Sequence, residues 1–368
     1  MSIMKVELVL KENIRPSCPT PYHLKSFKLS LLDQLAPSFY SPLLLYYCND
    51  NSNRETGKID DRCRVIKKSL AEVLTKFYPL AGKIIDNRFV DCNDDVRQLL
   101  PCDPYPPEIS SMSSPLSVQV NVFDNCGGIV IGLCISHKLA DGSSVMAFIS
   151  DWATVARGIS TNGDCQQIKG PSFELQSLFV GKDLLGFTPP ILPATDEVLV
   201  AKSFVFGDSK INELKAKSII LEETGDAAIE QYQPTRVEAL SAFIWRCFID
   251  IDQAKNKRPA AARVYEAIHA VNMRTRMVPQ LPTNSFGNVH TASRAICVVR
   301  NNECIDTQNH NLVGKIQDSL RKIDADYVRR LRSSDTLSSV MEKDKENGLS
   351  GQTEMLIFSS WCRFPLYV

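Results

Sequence analysis

Paired metal-ligating cysteines are missing from this chain. Its twelve cysteines are scattered singly, with no C-x-x-C pair, so zinc-ribbon and thioredoxin-like readings lack their ligand spacing. Net charge is also missing: Lys plus Arg and Asp plus Glu each number 42, and a nucleic-acid binder would carry a basic excess or stripe. The longest strongly apolar run, Gly127 to Ile135, falls far short of the ~20 residues of a membrane helix. The opening MSIMKVELVLKENIRP contains acidic residues and no continuous apolar stretch, unlike a signal peptide. There is no internal repeat and no low-complexity tract. What is present is ordinary globular material, 44% hydrophobic and 23% charged over 368 residues, enough for about two domains at roughly 150 residues each. A reduced, cytoplasmic, soluble protein is the expectation.

Periodicity outlines alternating strands and helices. Val6, Leu8 and Leu10 recur at every second position ahead of Pro16, which predicts a strand, and Leu43 to Cys48 predicts a second. Residues 49 to 61 are polar and read as a loop. Ile66, Leu70, Val73, Leu74 and Phe77 recur at helical spacing until Pro79. Leu116, Val118, Val120 and Val122 alternate strictly, Asp124 to Gly128 supplies a turn, and Ile129 to Ile135 reads as a strand covered on both faces. Ser143 or Ser144 is the expected cap of a helix burying Val145, Phe148, Ile149, Trp152 and Val155, with Gly158 just beyond its end. Residues 159 to 200, rich in Gly, Pro and Ser, are the linker candidate, above all 186 to 200. Beyond it, Ala201 to Phe206 reads as a strand, Thr235 to Glu238 as a capping box, and Ala267 to Asn272 as a strand entering an arginine-containing turn. Residues 333 to 351 read as a polar loop.

The turn between the buried strand and its helix reads His137-Lys138-Leu139-Ala140-Asp141-Gly142. A histidine at the end of a buried strand lies where α/β sheets place reactive groups. Its ordinary pKa of about 6.5 lets imidazole accept a proton at neutral pH. Asp141 is close enough in sequence to hold the turn, and Gly142 permits backbone angles that other residues resist. On spacing alone, a turn histidine satisfied by backbone groups is the commoner occurrence. A metal pair would need a third ligand at suitable spacing, and none is nearby. Cys134, three residues earlier, stands inside an apolar strand and reads as an inert thiol.

The motif has company. Phe77 to Gly82 (FYPLAG), Val90 to Asp94 (VDCND), Leu240 to Trp245 (LSAFIW), Val271 to Arg276 (VNMRTR), Asn284 to Asn288 (NSFGN) and Ser359 to Phe364 (SSWCRF) accompany ISHKLADG in order along the chain. With these segments the sequence resembles the plant BAHD acyl-CoA-dependent acyltransferases, in particular their vinorine synthase-like branch. That resemblance implies an α/β fold of two chloramphenicol-acetyltransferase-like domains with mixed β-sheets, 1–185 and 201–368, joined by a crossover at 186–200. It implies acyl transfer from a coenzyme A thioester to an alcohol or amine, with His137 as general base in a ternary complex. Acetyl transfer to a hydroxyl of a plant specialised metabolite, such as an alkaloid, is the expected reaction. Acetyl-CoA would then be the co-substrate, with no resident cofactor or metal and with a monomer as the working form. Asp141 would be structural, paired with Arg274, and Gly142 would help shape the turn. Ser241, Asn284, Ser359 and Trp361 would line the coenzyme A channel, although for Trp361 a packed aromatic is an equal alternative.

Two departures qualify the match. The resemblance implies an Asp-Phe-Gly-Trp-Gly motif after Tyr367, which the sequence does not contain, and a further strand and helix between Asp94 and Leu99. Losing such pieces would leave unpaired strand edges and an open cleft. A non-catalytic relative is therefore the alternative reading, and a hydroxycinnamoyl or malonyl donor is the weaker third.

Overall fold

The computed structural model describes residues 7–48, 56–92, 114–123, 127–160, 168–184, 202–224, 228–255, 263–299, 308–332 and 353–365. The expected crossover at 186–200 and the polar stretch 333–351 lie outside these, as do most of the Asp124–Gly128 turn and the junction after Cys92. The chain divides into two compact units. One comprises Met1–Val198, Pro282–Val289 and Phe364–Val368; the other comprises Leu199–Leu281 and His290–Arg363. The segment 282–289, inside the second expected domain by sequence, is thus counted with the first unit.

The first unit contains β1 (Ser26–Lys28), α1 (Leu31–Leu35), β2 (Tyr40–Tyr47), α2 (Thr56–Lys76), β3 (Lys83–Ile85), β4 (Phe89–Asp91), β5 (Leu116–Phe123), β6 (Gly128–Ser136), α3 (Gly142–Ser160) and α4 (Leu175–Leu178). Its strands form two antiparallel sheets, β1-β4-β3 and β2-β6-β5. β6 lies between two neighbours, with Ser136 opposite Tyr40 and Ile135 opposite Leu116, and burial of Val130 on one face and of Ile129, Ile131, Leu133 and Ile135 on the other accounts for its nearly unbroken apolar sequence. α2 packs on α3, where Trp152 Nε1 donates to Ser69 Oγ at 2.9 Å. All five expected inward positions of α3 are buried. Phe27, Phe77, Tyr78, Phe148, Phe173 and Phe286 interlock edge to face at centroid distances of 5.1 to 6.1 Å. Such pairs contribute about 0.5–1.5 kcal/mol each beyond their buried area. Phe286 ties the distant segment 282–289 into this cluster.

The second unit contains α5 (Asp208–Ala216), β7 (Ile220–Thr224), β8 (Ala228–Tyr232), α6 (Arg236–Lys255), β9 (Arg263–Asn272), β10 (His290–Val299), α7 (Asn309–Arg321), α8 (Ala325–Arg332) and β11 (Thr353–Phe358). β7 and β8 form a hairpin. The main sheet, β10-β9-β11, is mixed: β10 runs antiparallel to β9 and β11 parallel to it. The core joins Trp245 and Ile249 of α6, Tyr265 and Ala267 of β9, Ala295, Cys297 and Val299 of β10, and Leu312, Val313 and Ile316 of α7. The capping box forms as read from the sequence: Thr235 N donates to Glu238 Oε2 at 2.7 Å, and Glu238 N to Thr235 Oγ1 at 3.2 Å.

Several sequence expectations fail here. Residues 7–15 and 202–206 are irregular rather than strands, with Val9 and Val205 at least 90% exposed. Alternation selects a strand only where a neighbouring strand takes the ladder bonds. The helix of residues 66–77 begins at Thr56; exposed residues such as Asp60, Asp61 and Arg62 need no apolar period, and Asp61 pairs with Arg64. Gly158 lies inside α3, which runs to Ser160.

Candidate active site

The chain leaves β6 at Ser136, turns through His137–Asp141, and enters α3 at Gly142. The turn is fixed by its main chain: His137 N donates to Phe39 O at 2.9 Å, and Leu139 N to Ser136 O at 3.0 Å. Leu139 and Ala140 are at most 1% exposed, and Lys138 and Asp141 are also buried. His137 alone in this turn is only partly buried, with its ring 4.9 Å from that of Phe39.

Asp141, not Ser143 or Ser144, caps α3. Its Oδ1 accepts from Ser144 N at 2.9 Å, while Oδ2 accepts from Val289 N at 2.9 Å. One carboxylate thus satisfies an orphan helix donor and clamps the segment 282–289. Ser144 does not cap; its hydroxyl donates to Gly287 O at 2.9 Å and accepts from Gly287 N at 3.0 Å. Gly287 has φ +132°, and a methyl group there would collide with Leu175, so only glycine suits this close approach.

The clamped segment brings Asn288 to the histidine. Asn288 Nδ2 donates to His137 O at 2.8 Å and to Asp33 Oδ1 at 2.9 Å, and Asn288 N donates to Asp33 Oδ1 at 2.8 Å. Asp33 Oδ2 accepts from Ser30 N and Ser30 Oγ at 3.1 and 2.6 Å, completing the capping box of α1. Behind the turn, Lys138 Nζ donates to Gln34 O at 2.8 Å and Asp33 O at 3.4 Å.

Burial governs the ionisation of all three groups. Desolvation lowers the His137 pKa below its ordinary 6.5, opposed by its own carbonyl, Asp141 and Asn288, so the ring is neutral at pH 7 and able to take a proton. Desolvation pushes Lys138 down to about 7, partly offset by Asp33. The buried carboxyl of Asp33 is raised by desolvation, against the hydrogen bonds from Ser30 and Asn288.

Of the residues singled out by sequence, His137, Asp141 and Gly142 share this turn, and Asn284 belongs to the same unit. Asn284 Nδ2 donates to Gly170 O at 2.8 Å. Ser241, Arg274, Ser359 and Trp361 belong to the second unit. Ser241 is buried in α6, and Arg274 is 2% exposed, with its N and Nη1 on Asn272 Oδ1 at 3.0 and 3.3 Å. Ser359 is exposed and accepts from the half-exposed Trp361 Nε1 at 3.2 Å. A cleft of about 1590 Å³ lies between α2, α3 and the β2-β6 face, lined by Leu45, Ile66, Ile131, Ile149 and Trp152; His137 does not line it. Sequence reading missed Asp33, Lys138 and the part played by Asn288. Ser30-x-x-Asp33 was legible as a capping box, but a cap carries no sign of its second partner 255 residues away.

The family model described as "Transferase family" matches residues 4–96 and 94–368. Stemmadenine O-acetyltransferase of Catharanthus roseus is 34% identical over 398 residues, covering 99% of this chain and 85% of that protein. Vinorine synthase of Rauvolfia serpentina is 32% identical, with 99% and 85% covered. The chain belongs to the BAHD acyltransferase family. As a BAHD member it is an acyltransferase, and it spans about 85% of the length of these relatives. The crystal structure of vinorine synthase superposes with a TM-score of 0.72 at 31% identity, over 97% of this chain and 84% of that one. F. graminearum TRI101, solved with coenzyme A and T-2 mycotoxin, shares the fold at a TM-score of 0.60 and 16% identity, over 92% and 84%. The fold of this BAHD acyltransferase is accordingly the two-domain, chloramphenicol-acetyltransferase-like one.

Proposed function

We propose that the protein transfers an acyl group, acetyl by preference, from a coenzyme A thioester to a hydroxyl of a plant specialised metabolite such as an alkaloid. His137 is the general base. Its imidazole takes the hydroxyl proton as the acceptor oxygen forms a bond to the thioester carbonyl carbon. The tetrahedral adduct then collapses, the carbon–sulphur bond breaks, and the proton passes to the departing thiolate. The observation that carries this reading is an imidazole only partly buried on a turn whose other side chains are buried, with burial lowering its pKa. The acetyltransferase relatives support the choice of donor, and the TRI101 complex supports coenzyme A as co-substrate. No resident cofactor or metal enters the scheme.

In the same proposal Asp141 pairs with Arg274, Gly142 shapes the turn, and Ser241, Asn284, Ser359 and Trp361 line the coenzyme A channel. A cytoplasmic monomer is the proposed working form; among the described residues no helix is long and apolar enough to cross a membrane. Steady-state kinetics of thiol release with acetyl-CoA and a panel of alkaloid alcohols test the scheme. A ternary complex predicts intersecting double-reciprocal lines and no thiol release without acceptor. Parallel lines with an acceptor-independent burst would establish an acyl-enzyme instead, and absence of turnover from folded protein across the panel would contradict the reading.

A further inference from the structure

The main chain of His137 is held on both sides of its Cα. Its N–H donates to Phe39 O at 2.9 Å, and its carbonyl accepts from Asn288 Nδ2 at 2.8 Å. Peptide groups are planar, so holding the two that flank Cα sets the direction of the Cα–Cβ bond from which the imidazole extends. Asn288 has no choice of orientation. It is 1% exposed, and its Nδ2 faces two acceptors, His137 O and Asp33 Oδ1, at 2.8 and 2.9 Å. Turning the amide over would set oxygen against oxygen at both. Asp33 enforces that choice. Its Oδ1 also accepts from Asn288 N at 2.8 Å, while Oδ2 holds Ser30 N and Ser30 Oγ. A carboxylate can accept at both ends, whereas an amide of the same size must donate at one. The next residue of the turn reaches the same helix directly, through Lys138 Nζ to Gln34 O and Asp33 O. The short helix α1 thus grips the turn at 137 by way of Asn288 and at 138 without an intermediary.

We propose that Asp33 and Asn288 are positioning residues for His137 that act through its carbonyl: the carboxylate orients the amide, and the amide fixes the backbone that aims the imidazole. A catalytic group works within about 0.5 Å and 10–20° of its productive geometry, and a misplacement of ~1 Å costs on the order of 10²-fold in rate. The tie ends on main chain, so it is invisible to substitutions at 137 and is read through 288 and 33. For its catalytic consequence it rests on the acyl-transfer reading above.

His137–Lys138 is the only His-Lys pair in the sequence, so protein labelled with ¹³C′-histidine and ¹⁵N-lysine gives a single carbonyl–amide cross-peak, from that peptide. Loss of the donor in Asn288→Ala is expected to move the His137 ¹³C′ resonance upfield. Asp33→Asn is expected to do the same. Ser30 holds the new side chain's oxygen, its NH₂ faces Asn288, and the Asn288 amide inverts to set oxygen against His137 O. Trp152→Phe, which removes the bond to Ser69 between α2 and α3, should leave the resonance in place. An unmoved resonance in both Asn288→Ala and Asp33→Asn, or an equal shift in Trp152→Phe, would overturn the proposal. In the thiol-release assay the first two variants are expected to lose about 10²-fold in kcat with KM for acetyl-CoA unchanged. Made in a His137→Ala background, the same substitutions should cost nothing further, because no imidazole is left to place. A further loss of similar size there would mark a purely structural role and overturn the proposal. Spectrum and rates separate the two claims. Carbonyl shifts without turnover from wild-type protein sink acyl transfer and leave the tie, whereas wild-type turnover that both variants retain sinks the positioning role and leaves acyl transfer.

Discussion

Replacing His137 with alanine is expected to lower acetyl transfer by about 10²–10⁴-fold, the span a positioned general base contributes, while the thermal midpoint barely moves. The two halves of this expectation have different sources. Two of the histidine's structural ties run through its main chain, from N to Phe39 O and from O to Asn288 Nδ2, and alanine keeps both. The ring is lost with its contact on Phe39. KM for acetyl-CoA should stay within a few-fold, because the truncated group acts on the acceptor proton. Circular dichroism and melting curves alongside the thiol-release assay check both halves. Activity within threefold of wild type would remove His137 from the chemistry.

Acid is expected to destabilise the second unit through His269, and replacing that residue with phenylalanine should remove the effect. His269 is 5% exposed, stacks on Phe358 at 4.8 Å, and neither ring nitrogen makes a hydrogen bond among the described residues. Desolvation pushes its pKa from 6.5 to about 4, with Glu238 pulling weakly the other way. Above pH 6.5 the ring is neutral in both folded and unfolded chains and costs nothing. Between 6.5 and about 4 the unfolded chain binds a proton that the folded chain refuses, so stability falls as the pH falls. At about 1.4 kcal/mol per pKa unit, the loss approaches roughly 3 kcal/mol once the pH is below the folded value. Phenylalanine keeps the stack and cannot titrate. Urea titrations of both proteins at neutral pH and near pH 4.5 measure the difference; equal acid sensitivity in the two would refute the assignment.

Much of the fold follows from local patterns, and the exceptions share one cause. β5, β6, α3 and the box that opens α6 were legible because alternation, helical spacing and capping are properties of neighbouring residues. Val6 to Leu10 and Ala201 to Phe206 also read as strands, yet no partner strand meets the described residues of either stretch. The cap of α3 was misassigned for a related reason. Serine is a good cap by propensity, but Asp141 also holds Val289, and a carboxylate can serve both. His137 was legible as part of a motif. Asp33 was not, and Asn288 was legible only as part of the NSFGN segment, because their contacts with the turn span more than a hundred residues and no periodicity encodes them.

The central claim, that a neutral His137 takes the acceptor proton, is tested most directly by the pH dependence of kcat/KM for wild-type protein across about pH 5 to 8, which reports the free enzyme's essential groups. Burial lowers the pKa of this ring, so activity should be flat through neutrality and fall along a single acid limb with its midpoint below 6.5. Lys138, pushed down to about 7, is the competing titrating group in the same turn. A limb near 7 that disappears in Lys138→Met, or an acid limb unchanged in the residual activity of His137→Ala, would contradict the account.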